Sequence, residues 1–214
     1  MLSFDDWRYH LAKSLEPLAA RVLDFWVGEL GDDGIPSTTK SERWLKKDTQ
    51  LDATIDRLFG SHLETAYMGA LDRWTHTIEG TTALIILLDQ FPRSIFRDSA
   101  KAFRYDKKAL AVCLQAIKSG YAGSGPLAYS QLCLMPAMHA ESIDIQEQGT
   151  GIFEKWVEKT SGKSREVMIR SLKSAHRHRD VIARFGRFPQ RNKALGREST
   201  EAELAFLQKP GSSF

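Results

Sequence analysis

The run Ala83-Leu-Ile-Ile-Leu-Leu88 has no polar face. Wound as a helix or drawn out as a strand, it points apolar side chains in every direction, so it is stable only with protein packed all round it. A buried central helix over Thr75 to Asp89 accommodates it. A buried strand does too, because it contains β-branched residues. The flanking segments favour the helix. Leu18, Val22, Phe25 and Trp26 recur at three- and four-residue intervals, as do Leu51, Ile55, Leu58, Phe59 and Leu63. Phe103, Leu110, Cys113, Leu114 and Ile117 make a third such stripe, and Ile152, Phe153, Trp156 and Val157 a fourth. That spacing lines one face of an α-helix, and no segment alternates as a half-buried strand does.

The chain therefore reads as one all-α domain over 1–214, with about eight to ten antiparallel helices layered on one another. Residues 1–20 form an N-terminal extension helix, and 209–214 a frayed tail. Gly31 to Lys40 is a loop, and Asp48 is placed to cap the helix after it. Pro92 stops or restarts the apolar helix, and Pro136 kinks or ends a helix over Leu127 to Met138. Helices follow over Ile143 to Lys159 and, after a turn at Ser161 to Ser164, over Arg165 to Phe185, where Gly186 suits a left-handed cap. Thr200 with Glu203 has the spacing of a capping box for a last helix.

Charge is distributed unevenly. The net charge is only +3, but from Lys163 to Arg197 eleven basic residues face Glu166 and Asp180 alone. The densest part, His176 to Asn192, holds five arginines, two histidines and one acid in seventeen residues. Arginine is always charged and is shaped to grip a carboxylate or phosphate with two hydrogen bonds. The segment thus calls for an anionic partner, either a ligand or acids elsewhere in the fold. Phe185 and Phe188 interleave with the arginines as a nucleic-acid surface would require. The modest net charge and the inward spacing of Phe185 with Ile182 argue against that use.

Three polar groups interrupt the apolar pattern. His178 shares a helical face with Val181, Ile182 and Phe185, and so points inward; on the adjoining face Asp180 can pair with His176 or Arg184. His139 and Glu141 follow an apolar helix two residues apart, and converge only if the backbone is irregular there. Asp89 directly follows the apolar run, so it needs a partner, and Arg93 lies one turn on. His139, Glu141 and His178 are the candidate acid–base groups. Asp89, Arg93, Arg97, Arg184, Arg187, Arg191, Asn192 and Arg197 are the candidate ligand contacts. Metal-ligand spacings, phosphate-binding loops, nucleophile motifs and cofactor fingerprints are absent, so no metal or cofactor is expected. Cys113 and Cys133 read as buried thiols of a reducing compartment. With no signal-peptide core and no apolar run long enough for a bilayer, a cytoplasmic protein without membrane contact is expected.

Taken together, Val22-Leu-Asp-Phe-Trp-Val-Gly28, Trp44-Leu-Lys-Lys-Asp48, Leu87-Leu-Asp-Gln-Phe-Pro-Arg93 with Phe96-Arg97, His178 to Asn192 and Leu195-Gly-Arg-Glu-Ser-Thr200 resemble the domain of unknown function 924 family, in its order and over about Val22 to Leu207. The resemblance implies a soluble all-α fold similar to tetratricopeptide arrays, and implies no particular reaction. Two departures stand out. Where the family pattern has Glu-His-Ser-Glu-Asp, this chain has Met138-His139-Ala140-Glu141-Ser142, and where it has a histidine this chain has Gln190. The polar centre of this member therefore carries fewer titratable groups. Two functions fit: a pocket that binds or turns over a small anionic molecule, and a scaffold that binds an acidic peptide, with Trp44 and Trp74 as exposed anchors.

Overall fold

The structure, a computed structural model, describes residues 15–36 and 47–212. Residues 1–14 of the expected extension helix over 1–20, Trp44, and the last two residues of the tail lie outside them; Leu15 and Glu16 are not helical, and Pro17 opens the next helix. Among the described residues there is no strand, only an isolated antiparallel bridge between Leu30 and Pro36.

The apolar run is helical. Helices α1 (Pro17–Trp26) and α2 (Thr49–Phe59) lead to a short α3 (Leu63–Tyr67) and then to α4 (Ile78–Ile85). Ile86–Gln90 continues α4 as a π turn and runs into α5 (Phe91–Ile95). Pro92 neither stops nor restarts this helix. It lacks the N–H that would bond the Leu88 carbonyl, and its ring crowds that carbonyl. The chain widens instead, and Phe91 N–H donates to Ile86 O, five residues back. Such π turns are uncommon and concentrate at functional sites. Ala83 to Leu88 and Phe91 are wholly inaccessible to solvent. Each larger side chain so buried stabilises the fold by about 1.5–3 kcal/mol, which keeps this helix central. Phe91 stacks on Phe59 with centroids 4.9 Å apart, and Phe25 and Trp26 meet the pair edge-on.

Around this axis lie α6 (Asp106–Lys118), α7 (Leu127–Met138), α8 (Ile143–Lys159) and α9 (Gly162–Phe185). Thr160 and Ser161 are the whole connection between α8 and α9, so the two pack as an antiparallel hairpin. The turn expected at Ser161 to Ser164 is already the first turn of α9. Gly186 closes α9 with φ of 68°, a conformation that costs glycine little. Pro136 sits inside the last turn of α7, which runs on two residues past it to Met138. Two small helices follow, α10 (Asn192–Leu195) and α11 (Glu201–Leu207), the latter entered through the expected Thr200–Glu203 capping box. Residues 209–212 lie against the fold: Arg177 donates to Gly211 O and Ser212 Oγ to Leu207 O.

Val181, Ile182 and Phe188 form a separate small core with Phe185 and Phe206 packed on it. Of the polar residues singled out in the sequence, Asp89, Arg93, His139, His178 and Arg191 gather at the seam between this small core and the main one. Trp74 is 4% exposed, so it is core rather than a surface anchor.

Candidate functional site

The seam is built around Asp89, which the π turn carries at the end of the apolar run. Its side chain is 1% exposed. Oδ1 accepts from His139 Nδ1 at 2.8 Å and lies 3.1 Å from Arg93 Nη1, while Oδ2 accepts from Gln90 Nε2 at 2.6 Å. Arg93 Nη1 also donates to the Asp89 carbonyl. Burial alone would push this carboxyl up. The positive Arg93, the nearby His139 and the hydrogen bonds outweigh it and hold Asp89 well below the usual carboxylate range.

An ionised carboxylate has no proton to give, so the His139 nitrogen facing it must be the donor. His139 is therefore the Nδ1–H tautomer when neutral, with the lone pair on Nε2. Burial, opposed by Asp89 and reinforced by Arg93, pushes His139 below the ordinary histidine value, which favours the neutral ring. Among the described residues none hydrogen-bonds Nε2, and the side chain stays 14% exposed. His139 comes directly after the last residue of α7, and Gln146, 1% exposed, secures that end by donating to the Met138 and Ala140 carbonyls at 2.6 and 2.9 Å.

Two arginines meet beside this dyad. Arg93 Nη2 donates to Asp106 Oδ2 at 3.1 Å, and Arg191 Nη1 lies 3.6 Å from the same oxygen. Arg191 Nη2 donates to the His139 carbonyl at 3.0 Å. Its guanidinium is held between the rings of Phe103 and Phe188, 4.8 and 4.5 Å from their centroids. Each face adds a cation–π contact of about 0.5–2 kcal/mol and removes freedom from a long side chain. Burial lowers Arg191 to about 10, which leaves it charged at neutral pH. His178 stands behind His139, with ring centroids 6.1 Å apart, and donates from Nδ1 to Ser174 O at 2.8 Å. Burial, then the neighbouring His139, lower it to about 4.

The other predicted residues lie outside this centre, most of them held in ion pairs of their own. Glu141 turns away from His139. It accepts a two-pronged contact from Arg197 at 2.7 and 2.9 Å, and the Phe188 N–H at 2.8 Å. Arg187 grips Glu203 in the same manner at 2.7 and 2.8 Å, and Asn192 donates to Ser199 Oγ. These pairs fasten the segment after α9 and so hold Arg191 in place. Arg97 reaches across to Asp52 of α2, with 2.8 Å between Nη2 and Oδ1. Arg184 is exposed over the Phe185 ring. Asp180 pairs with Arg179 rather than with His176 or Arg184. The arginine-rich segment is thus answered largely by acids of the same chain. Of the arginines predicted as ligand contacts, Arg93 and Arg191 are the two that the described residues bring together beside the histidines.

Sequence reasoning missed Asp106, Gln146, Phe103 and the π turn. Asp106 opens α6, where an acid reads as a favourable first-turn charge and nothing more. Gln146 left a signal, since it lies on the inward stripe with Gly149, Thr150 and Phe153. Among the described residues no three His, Cys, Asp or Glu side chains are grouped to hold a metal, and no helix is long and apolar enough to cross a membrane.

Residues 22–211 match a family described as bacterial protein of unknown function (DUF924). A solved structure of a protein of unknown function from Agrobacterium tumefaciens is similar, with a TM-score of 0.75 and 31% identity over 89% of this chain and 97% of that one. No curated protein matches.

Proposed function

The chain belongs to the DUF924 family, and we propose that it binds a small anionic molecule at the seam, with His139 as the group that exchanges a proton with it. The observation that carries this reading is the Asp89–His139 contact at 2.8 Å. A buried carboxylate fixes the tautomer and leaves the lone pair on Nε2, away from the carboxylate, so the neutral imidazole can act as a general base. Arg93 and Arg191 supply the positive side for a carboxylate or phosphate group. Arg191 is rigid before any ligand arrives, which lowers the entropy lost on binding.

The test is a thermal-shift screen of phosphorylated and carboxylated metabolites. Wild type gains stability with at least one of them beyond the effect of matched ionic strength, because binding to the folded state alone raises the midpoint. Arg191→Ala removes that gain, and His139→Gln keeps binding but loses turnover of the molecule found. A screen in which no anion acts more strongly than salt contradicts the reading.

The acidic-peptide reading draws on a different place. Arg184, Phe185, Arg187, Thr200, Ala202 and Glu203 line an open depression of about 500 Å³. There Arg184 is the exposed cation, while Arg187 is already engaged by Glu203. An acidic peptide whose affinity drops on Arg184→Glu and is untouched by Arg191→Ala would favour this second reading.

A further inference from the structure

Asp106 is the least satisfied charge in the seam. Oδ2 faces Arg93 and Arg191, but Oδ1 is buried without a hydrogen-bond partner. Asp89 differs at every point: both its oxygens are engaged, and it has His139 and Gln90 besides Arg93. One guanidinium thus joins the two aspartates, Nη1 toward Asp89 and Nη2 toward Asp106. With both histidines neutral, two arginines and two aspartates balance.

That balance conflicts with an incoming anion. A ligand carrying negative charge would leave the seam with an excess that a poorly solvated site does not tolerate. Relief comes when one resident carboxylate gives up its charge. Asp89 is poorly suited, being saturated with donors. Asp106 lacks a partner for Oδ1, and a proton on its carboxyl would turn a repelling group into a donor aimed at the ligand. We propose that Asp106 is an internal counter-ion that an anionic ligand displaces from Arg93 and Arg191, each anion bound bringing one proton onto Asp106.

In this step Asp106 takes a proton from solvent as the anion takes its place beside Nη2 of Arg93 and Nη1 of Arg191. No other bond is made or broken. The charged and titratable groups facing Asp106 are Arg93 on α5, Asp89 on the π turn, Arg191 after α9, and His139 after α7. Burial raises the Asp106 carboxyl above the usual range, Arg93 and Arg191 oppose that, and Asp89 adds to it. The proposal rests on the anion-site reading above and deepens it. It makes the seam an anion site that tightens in acid through a carboxyl group, whatever the histidines add.

Sulfate is the probe, because its charge is constant from pH 5 to 8. Calorimetric titration of the whole chain near pH 7, in two buffers of different ionisation heat, reads the protons taken up. Wild type takes up about one proton per sulfate, and its affinity falls by up to about tenfold per pH unit as the pH rises. Asp106→Asn presents a permanently neutral donor. It takes up no proton, holds sulfate with little change between pH 6 and 8, and binds more tightly than wild type at pH 8. Equal proton uptake in wild type and Asp106→Asn overturns the proposal and leaves the anion site standing. Uptake lost only in His139→Gln does the same. Sulfate binding to neither protein between pH 5 and 8 overturns the anion site itself. Should Asp106→Asn not fold, the wild-type measurement still decides, since binding without proton uptake contradicts the proposal.

Discussion

Asp89 shows how much one residue at the end of an apolar run can organise. Its charge is fully buried and balanced by Arg93, with hydrogen bonds from His139 and Gln90. Asp89→Asn keeps the shape and removes the charge, leaving Arg93 half-answered. Breaking a buried pair from one side costs about 3–5 kcal/mol, so the urea midpoint should fall steeply. A loss under 1 kcal/mol would mean that Arg93 finds its partner elsewhere. His178 makes a separate prediction from its lowered value of about 4. Above pH 6.5 the ring is neutral both folded and unfolded, and its contribution is complete. As pH falls from 6.5 to about 4, the unfolded chain takes up a proton that the folded chain refuses, so stability drops by at most ~1.4 kcal/mol per pH unit. Below that range this residue adds no further loss. Urea unfolding at pH 7, 5 and 4 measures the slope, and His178→Gln should make it shallower, with His139 and the paired carboxylates carrying what remains.

At the scale of elements, helical periodicity carried most of the fold. Helices over Leu127–Met138 and Ile143–Lys159 stand at the boundaries read from spacing and breakers alone. The capping box at Thr200 and Glu203 formed as its spacing required, and Thr200→Ala should cost about 1 kcal/mol by the same measurement. Less legible was the passage through Pro92. Proline reads locally as a breaker, but a helix packed on all sides loses more by ending than by widening one turn. Only the tertiary setting decides that. Gly80 is a related case: a Cβ there would collide with the Trp74 carbonyl, a backbone atom that cannot swing aside. Gly80→Ala should therefore destabilise by about 1–3 kcal/mol, although alanine is the better helix former. A stabilised variant would mean that the approach to Trp74 relaxes freely.

Across the whole molecule, charge was legible as composition but not as pairing. The arginine-rich stretch after α9 announced an anionic partner, and for Arg187 and Arg197 that partner is Glu203 and Glu141, distant in sequence or hidden as a cap. For Arg97 it is Asp52, 45 residues away. What sequence patterning did convey is that His178 points inward and that Asp89 is buried and partnered by Arg93. His139 reads in the sequence only as a polar residue after an apolar helix, and all of these meet at the seam with Arg191. Asp106 stayed hidden because an acid at a helix start has an ordinary explanation. In the proposed anion site Asp89 fixes His139 with Nε2 able to take a proton. Nitrogen-15 NMR of the histidine rings tests it most directly. At pH 7 His139 should be neutral with its proton on Nδ1, and the Nε2 signal should move when sulfate is added. A ring protonated on Nε2, or a signal that sulfate leaves in place, would contradict it.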